Sequence, residues 1–438
     1  MTLFGTSGIR GPVGETVTAE LALSMGRALG VDCGRVVVGR DPRASGEFLQ
    51  SALVAGLRES GTDVVDVGVA ATPTVARAVG WRDADAGVSI TASHNPSEDN
   101  GLKLWQPSGQ AFDSEGQARI EERIESGAFE PAAWDASGSL ATWDARPRHA
   151  DAIRAALDRE AMDSSVVVDV GNGAGGVTVD VLKSMGCHVE TLNAQPDGAF
   201  PGRPSEPKAE NCTSLSTLVG ESEADIGIAH DGDADRMRAV AGDGTYLTGD
   251  VTLALFARAA AEPGQRVAVP VDTSLAVADY LAEMDVGVEY TPVGDVYVAE
   301  AAAAPDVAFG GEPSGAWIWP AYTLCPDGPL AACTVAALDA DRPLAERVAE
   351  VPTYPIRRDS VDVEDKAALM DRVREQVLDE YDDVTTLDGV RVDLGDAWFL
   401  LRASGTQSLV RVTAEAREAD RADEVLATAR ECLSTARE

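Results

Sequence analysis

The sequence predicts an α/β protein of four units with mainly parallel sheets, and three observations carry that expectation. Strand patterns alternate with helical ones. Three stretches interrupt the alternation. In three of the resulting units an apolar strand opens directly into a loop of small and polar residues. Arg35–Gly39 (RVVVG) reads as a buried strand. Residues 47–59 then put Leu49, Leu53 and Leu57 on one helical face, and the pattern stops at Gly61. Val64–Gly68 (VVDVG) is the next strand. The breaks are residues 125–148, rich in Gly, Ser, Pro and Trp, the run AGDGTYLTG at 241–249, and 342–357 with Pro343, Pro352 and Pro355. They divide the chain into units at 1–146, 147–245, 246–350 and 351–438.

Composition narrows the function. The chain has 438 residues, with 73 acids against 36 bases and a formal charge of −37. Such a balance excludes nucleic acid and anionic membrane surfaces as partners. Only Lys103, Lys183, Lys208 and Lys366 are lysines, so arginine dominates the bases. Self-repulsion of this size is relieved at molar salt, where the screening length falls to ~3 Å, so a halophilic, salt-accumulating host is expected. No stretch reaches the ~20 apolar residues of a membrane span. No signal peptide is visible, and a cytoplasmic location is expected. The six cysteines (33, 187, 212, 325, 333, 432) form no C-x-x-C pair and suggest neither zinc nor disulfides. Oligomeric state is not encoded in any readable pattern.

The strand-to-loop junctions hold the chemistry, because open α/β sheets place ligands at the carboxyl ends of their strands. Ala86–Ile90 leads into TASHNP, residues 224–229 into HDGDADR and residues 306–309 into GGEPSG. In HDGDADR, Asp231, Asp233 and Asp235 alternate, so an extended loop can gather three carboxylates around one hard cation such as Mg²⁺. An EF-hand is excluded, since Arg236 occupies the turn-glycine position and Gly242 the terminal-glutamate position. In TASHNP, Ser93 and Thr91 offer hydroxyls beside His94. A Ser-His-Asp hydrolase is the rival there, but no G-x-S-x-G elbow exists, and Asn95-Pro96 could serve only a turn. RASGTQSLVR offers Arg402, Ser404, Thr406 and Arg411 as a phosphate cradle, with Gly405 admitting the backbone. GTSGIRG offers Thr6, Ser7 and Arg10. GNGAGG (Gly171, Gly173, Gly176) matches a dinucleotide fingerprint, or permits tight packing only.

Taken in order, these loops resemble those of the α-D-phosphohexomutase superfamily. TASHNP is similar to its phosphoserine loop, DGDADR to its metal loop, GEPSG to its sugar-binding loop and RASGTQSLVR to its phosphate-binding loop. FGTSGIRG, NGLK, GNGAG and PDGAFPGRPSEP match as well. The resemblance implies four domains around a central cleft: three related α/β units with mixed, mainly parallel sheets, and a C-terminal α+β domain. It implies that Ser93 carries a phosphoryl group. Asp231, Asp233 and Asp235, with a phosphoserine oxygen, would hold Mg²⁺. Arg10, His94 and Lys103 would line the reacting centre and move protons. Glu312 and Ser314 would grip sugar hydroxyls, while Arg402, Ser404, Gly405, Thr406 and Arg411 hold the phosphate not in transfer. Arg236, which closes the metal loop, would join the substrate contacts.

The activity so implied interconverts a sugar 6-phosphate and its 1-phosphate through a sugar 1,6-bisphosphate, which also acts as activator. Glucosamine phosphate is the leading substrate, with mannose, glucose and pentose phosphates as alternatives. Two other classes are a nicotinamide-dependent oxidoreductase using GNGAGG and a non-catalytic paralogue that binds sugar phosphates. The sequence departs from the family pattern at Ala316, where many relatives have His, and at Ala403, Gln407 and Leu409 in the last loop.

Overall fold

The computed structural model describes residues 3–5, 8–404 and 408–437. Its strands form four sheets, one for each stretch of chain between the breaks.

The first unit holds β1 (Ile9–Pro12), α1 (Ala19–Gly30), β2 (Arg35–Arg40), α2 (Gly46–Glu59), β3 (Asp63–Val69), α3 (Thr72–Trp81), β4 (Ala86–Ile90), β5 (Asp99–Trp105), α4 (Ser114–Ser126) and β6 (Leu140–Thr142). Its sheet runs β1-β5-β4-β2-β3-β6. The four strands from β4 to β6 are parallel, while β1 and β5 are antiparallel to their neighbours. The unbroken valine run of β2 has a physical reason. Val36 and Val38 enter the core under α1 and α2, while Val37 enters a second core against α3 on the opposite face.

The second unit holds α5 (Arg146–Leu157), β7 (Ser165–Asp169), α6 (Gly176–Ser184), β8 (His188–Leu192), α7 (Thr213–Glu221), β9 (Ile226–His230) and β10 (Met237–Ala241), with sheet order β10-β9-β7-β8. The third holds α8 (Gly249–Ala260), β11 (Arg266–Pro270), α9 (Leu275–Ala282), β12 (Gly287–Thr291), α10 (Asp295–Ala302), β13 (Val307–Glu312), β14 (Ala316–Ile318), α11 (Gly328–Asp341) and α12 (Leu344–Val348), ordered β12-β11-β13-β14. Both sheets are parallel except for one antiparallel edge strand each, β10 and β14. The fourth unit is a wholly antiparallel sheet, β15 (Ile356–Asp362), β19 (Leu409–Ala416), β18 (Ala397–Ala403), β17 (Val390–Asp393) and β16 (Val384–Thr385) in spatial order, backed by α13 (Lys366–Glu380) and α14 (Ala419–Arg437).

The structure corrects several boundaries. Residues 125–148 are not only a linker: β6 lies within them and extends the first sheet beside β3. The strand expected at 224–229 begins at Ile226, because Asp225 instead caps the Ser165 N–H. The strand expected at 306–309 continues to Glu312, so Glu312 ends a strand and does not stand in a loop.

Buried polar contacts lock the units together. Arg77 of α3 and His149 of α5 both meet Asp327, which caps α11, at 2.7 and 3.2 Å, and Thr74 bonds the other ring nitrogen of His149. One hydrophobic core is continuous across the second and third units. Between the third and fourth units, the fully buried Glu415 accepts from Ser274 Oγ, Leu275 N and Trp398 Nε1, each at 2.6 Å, so it sits at the N-terminus of α9. Arg391 is sandwiched between Tyr290 and Trp398 beside it. Truncating Glu415 would orphan three buried donors. Glu415→Ala is expected to cost about 3–5 kcal/mol, read as an earlier denaturant midpoint by tryptophan fluorescence. A change below about 1 kcal/mol would show that this contact does not hold the seam.

Candidate active site

The loop after β4 turns sharply at Ser93, whose φ of +50° lies in the left-handed region that a residue with a Cβ enters only under constraint. The constraint is visible. Ser93 N–H donates to Thr91 Oγ1 at 2.8 Å, and Ser93 C=O accepts from Arg43 Nη2 at 2.9 Å and Ser205 Oγ at 2.8 Å. Arg43 is fully buried. Its guanidinium also bonds the carbonyls of Asn95, Pro96 and Asp99, and Asp41 holds its Nε at 3.0 Å. One arginine thereby fixes the whole loop.

Ser93 Oγ then donates to Asp231 Oδ2 at 2.6 Å and lies 3.4 Å from both Asp235 Oδ1 and His94 Nδ1. The loop after β9 gathers Asp231, Asp233 and Asp235, all buried, with ligand oxygens within 4.8 Å of one another. Lys103 of β5 reaches across from the first unit to Asp233 Oδ2 at 2.8 Å and to Asp235 Oδ2. Thr72 Oγ1, at the start of α3, also donates to Asp233 Oδ2, at 2.6 Å. Asp233 Oδ1 stays buried with no partner among the described residues.

Electrostatics follow from this crowding. Burial, then Asp235 and Asp233, push the Asp231 carboxyl well above its ordinary range. Burial acts the same way on Asp233, but Lys103 and Thr72 outweigh it and hold that carboxyl below its ordinary range. Burial would lower Lys103, but Asp233 and Asp235 hold it above its usual value. Burial, followed by Arg236, Arg10 and Lys103, pulls His94 from 6.5 down to about 2, so the imidazole is neutral. The donor set fits a divalent cation. It offers hard oxygen ligands and an orphaned carboxylate oxygen. Lys103 offsets only one of three negative charges.

The third loop joins by backbone and side chain. Arg236 pairs with Ala316 in an antiparallel bridge. Ser314 Oγ donates to Glu312 Oε2 at 2.9 Å. Burial, and then Asp295, raise Glu312 to about 7. In the fourth unit Arg402 and Arg411 face each other across β18 and β19, on the side away from that unit's core. Arg402 bonds Asp388 at 2.9 Å and Ser404 is buried. Gly405, Thr406 and Gln407 lie outside the described residues, as do Thr6 and Ser7.

Four matches to known domains cover this arrangement in order. Residues 1–131, 147–244 and 248–354 match the phosphoglucomutase/phosphomannomutase alpha/beta/alpha domains I, II and III, and residues 360–431 match the C-terminal domain. The chain belongs to the phosphoglucomutase/phosphomannomutase family. It is an enzyme, a phosphosugar mutase of the α-D-phosphohexomutase superfamily. A "Probable phosphoglucosamine mutase" of Methanococcoides burtonii is 48% identical over 96% of this chain and 97% of its own. One of Methanopyrus kandleri is 46% identical over 99% of both chains. A crystal structure of a phosphoglucomutase/phosphomannomutase family protein from Burkholderia thailandensis superposes with a TM-score of 0.89 at 29% identity, covering 100% of this chain and 98% of that one. The Aspergillus fumigatus N-acetylphosphoglucosamine mutase, solved with GlcNAc-6P and magnesium, shares the fold at 16% identity and a TM-score of 0.61, over 99% and 96% of the two chains.

Within this phosphohexomutase the GNGAGG loop has a packing partner. A Cβ on Gly173 would lie 2.6 Å from Gly232 O and 2.8 Å from Asp231 O, so the glycine lets this loop press against the aspartate loop. Gly328 backs the same loop from α11, where a Cβ would meet Ala234 O and Arg236 O at 2.6 Å. His230 is structural. It bonds Thr178 Oγ1 and Arg236 O, and burial lowers it to about 4. The site residues that sequence reasoning missed are Arg43, Thr72 and Ser205. The available signal was their place, since Asp41-Pro42-Arg43 and Thr72 directly follow the carboxyl ends of β2 and β3.

Because the His94 shift leaves no protonated imidazole near neutrality, its ring is expected to stay neutral from about pH 8 to pH 5. Nitrogen-15 imidazole NMR checks this, and a titration near 6.5 in the folded protein would contradict the burial argument.

Proposed function

We propose that this phosphosugar mutase interconverts glucosamine 6-phosphate and glucosamine 1-phosphate, with a phosphoryl group resident on Ser93 and a 1,6-bisphosphate as intermediate and activator. The observation that carries the reading is the 2.6 Å contact between Ser93 Oγ and Asp231, which sets a hydroxyl held in a strained loop against three gathered carboxylates. Mg²⁺ held by Asp231, Asp233, Asp235 and a phosphoserine oxygen would neutralise charge on the phosphoryl oxygens.

The chain's own residues account for the remaining steps. The P–Oγ bond of phospho-Ser93 breaks as a bond forms from phosphorus to the free hydroxyl of the bound monophosphate. The hydroxyl proton passes to Ser93 Oγ as the serine is freed, and neutral His94, with Nδ1 3.4 Å from that oxygen, lines its path. The bisphosphate turns over, its other phosphoryl group returns to Ser93, and the proton runs back to the sugar oxygen left behind. Arg10 stands within electrostatic reach of Asp233, with a buried Nε that has no partner among the described residues, and Lys103 adds a second positive charge. Arg402, Ser404 and Arg411, with Gly405 and Thr406, hold the phosphate not in transfer. Glu312, Ser314 and Arg236 hold the sugar.

One observation supports glucosamine: the relatives of 48% and 46% identity carry that name.

The test is phosphorus NMR with Mg²⁺, a trace of 1,6-bisphosphate and the 1-phosphates of glucosamine, mannose, glucose and ribose offered separately. Glucosamine 1-phosphate is expected to convert fastest. Ser93→Ala is expected to lose about a thousandfold or more, and chelation of the metal to stop turnover. Faster conversion of another sugar would replace the substrate, and turnover by Ser93→Ala would remove the phosphoserine. We further infer a cytoplasm at high salt from the charge of −37. The melting temperature should rise by roughly 10 °C or more between about 0.1 M and 2 M KCl as screening sets in. A flat profile would contradict a salt-adapted host.

A further inference from the structure

We propose that Arg238 joins Arg236 in a second phosphate-anion subsite, on the wall of the cleft formed by β10, which engages the bisphosphate intermediate but not a monophosphate. This rests on the mutase reading above and adds a residue that neither the family motifs nor the site description requires.

Arg236 immediately precedes β10 and Arg238 lies on it, two residues further, so their side chains leave the same face of the sheet. Met237 and Ala239 point the other way, into the core shared by the second and third units. Arg236 already stands in the cleft, within electrostatic reach of Asp231, Asp235 and Glu312. Arg238 lies under the sugar loop: a Cβ on Gly315 would come within 3.3 Å of Arg238 Nε. Only glycine, here at φ +108°, lets the backbone after Ser314 pass this close to a guanidinium.

Arg238 is also uncompensated. Its Nη1 is shielded from solvent and has no hydrogen-bond partner among the described residues. No carboxylate among them forms an ion pair with it. Tyr246 is the group that most favours its charge, Arg236 opposes it with a like charge, and Asp250 and Glu206 weigh less. Glu206 is itself engaged by Lys208 at 2.7 Å and lies 3.9 Å from Arg236. Burial, the largest influence, pulls Arg238 below its ordinary value. Acids outnumber bases two to one in this chain, so a buried arginine without a carboxylate is anomalous. Arg236 is met by the charges of Asp231, Asp235 and Glu312, which leaves Arg238 as the unmet charge on that strand face. An anion with several acceptor oxygens placed between the two guanidinium groups satisfies Arg238 and bonds Arg236. A phosphate has that form, and the ligand that must carry a phosphate past this wall, between the Ser93 centre and the last-unit cradle, is the 1,6-bisphosphate as it turns over.

The experiment measures equilibrium binding of glucose 1,6-bisphosphate and of glucosamine 6-phosphate by calorimetry, in molar KCl with Mg²⁺. It uses Ser93→Ala protein, which cannot transfer a phosphoryl group, with and without Arg238→Met or Arg238→Lys. Arg238→Met is expected to weaken the bisphosphate by about tenfold or more and the monophosphate by less than about threefold, with Arg238→Lys recovering most of the loss. Equal weakening of both ligands, or of neither, would overturn the subsite and leave Arg238 as a structural residue solvated by internal water. If Arg238→Met does not fold, Arg238→Gln is read the same way, and failure of both neutral variants to fold also overturns the proposal. Selective loss of the bisphosphate in a protein whose Ser93 form turns over no sugar phosphate would keep the subsite and remove the mutase reading. Absence of binding by either ligand would remove both.

Discussion

Mutual repulsion among Asp231, Asp233 and Asp235 is the constraint around which the rest of the molecule is arranged. Their oxygens lie within 4.8 Å of one another in a buried loop. At an effective dielectric of about 20, each charged pair at that range repels by roughly 3 kcal/mol. Within the loop only Arg236 opposes this, with its N–H on Asp231 and its guanidinium within electrostatic reach of Asp231 and Asp235, so the rest of the balance comes from other parts of the chain. Lys103 arrives from β5, Thr72 from the start of α3 and the Ser93 hydroxyl from the end of β4, all of them in the first unit. The docking of the first two units and the tolerance of the acidic cluster are therefore one fact. Asp233 Oδ1, which none of these groups reaches, is the oxygen a cation would take up on the proposed reading.

A transfer reaction that depends on in-line positioning needs the backbone beneath this cluster to be rigid. It is held from three sides. Gly173 brings the loop after β7 against the carbonyls of Asp231 and Gly232. Gly328 brings the start of α11 against those of Ala234 and Arg236. Ser205 donates to Ser93 C=O and accepts from Gly232 N–H, so one hydroxyl ties the serine loop to the aspartate loop. Behind them, Arg77, His149 and Asp327 join the first three units at one buried point. Strain at Ser93 persists because Arg43 bonds four carbonyls around it at once. This is the over-determined support that a left-handed serine requires.

The legible part of this site is the part carried by short stretches of chain. Ser93-His94 and the alternating aspartates offer their chemistry by residue type within a few positions and by following an apolar strand, whereas Glu312-Pro313-Ser314 took its role from the family resemblance. Strands β2, β3 and β4 and helix α2 were legible because apolar runs and leucine spacing are local signals. Arg43, Thr72 and Ser205 were not legible, because their meaning lies in partners that are remote in sequence. Thr72 and Asp233 are separated by 161 positions and Arg43 and Ser93 by 50. Short β6 was lost in a stretch rich in turn residues, since three exposed residues pairing with one strand leave no periodic trace. The GNGAGG motif left two readings open, and the structure supports packing. Its glycines satisfy a nucleotide-binding spacing, yet the structure uses Gly173 for contact between two loops.

Net charge gives the wrong impression of what such a protein binds. A chain at −37 should repel phosphate esters, and at low salt its outer field would. At molar salt that field fades within ~3 Å, and only charges in contact with a ligand count. On the outside, arginines are engaged by carboxylates, as in Arg357 with Asp423, Arg417 with Asp279 and Arg430 with Asp359, so they offer little to a passing anion. In the cleft, Arg10 Nε and Arg238 Nη1 are buried and have no partner among the described residues. On the proposed reading, affinity for phosphate would be set by a few guanidinium groups from which carboxylates are withheld, and the surplus acids on the surface could serve hydration without weakening it.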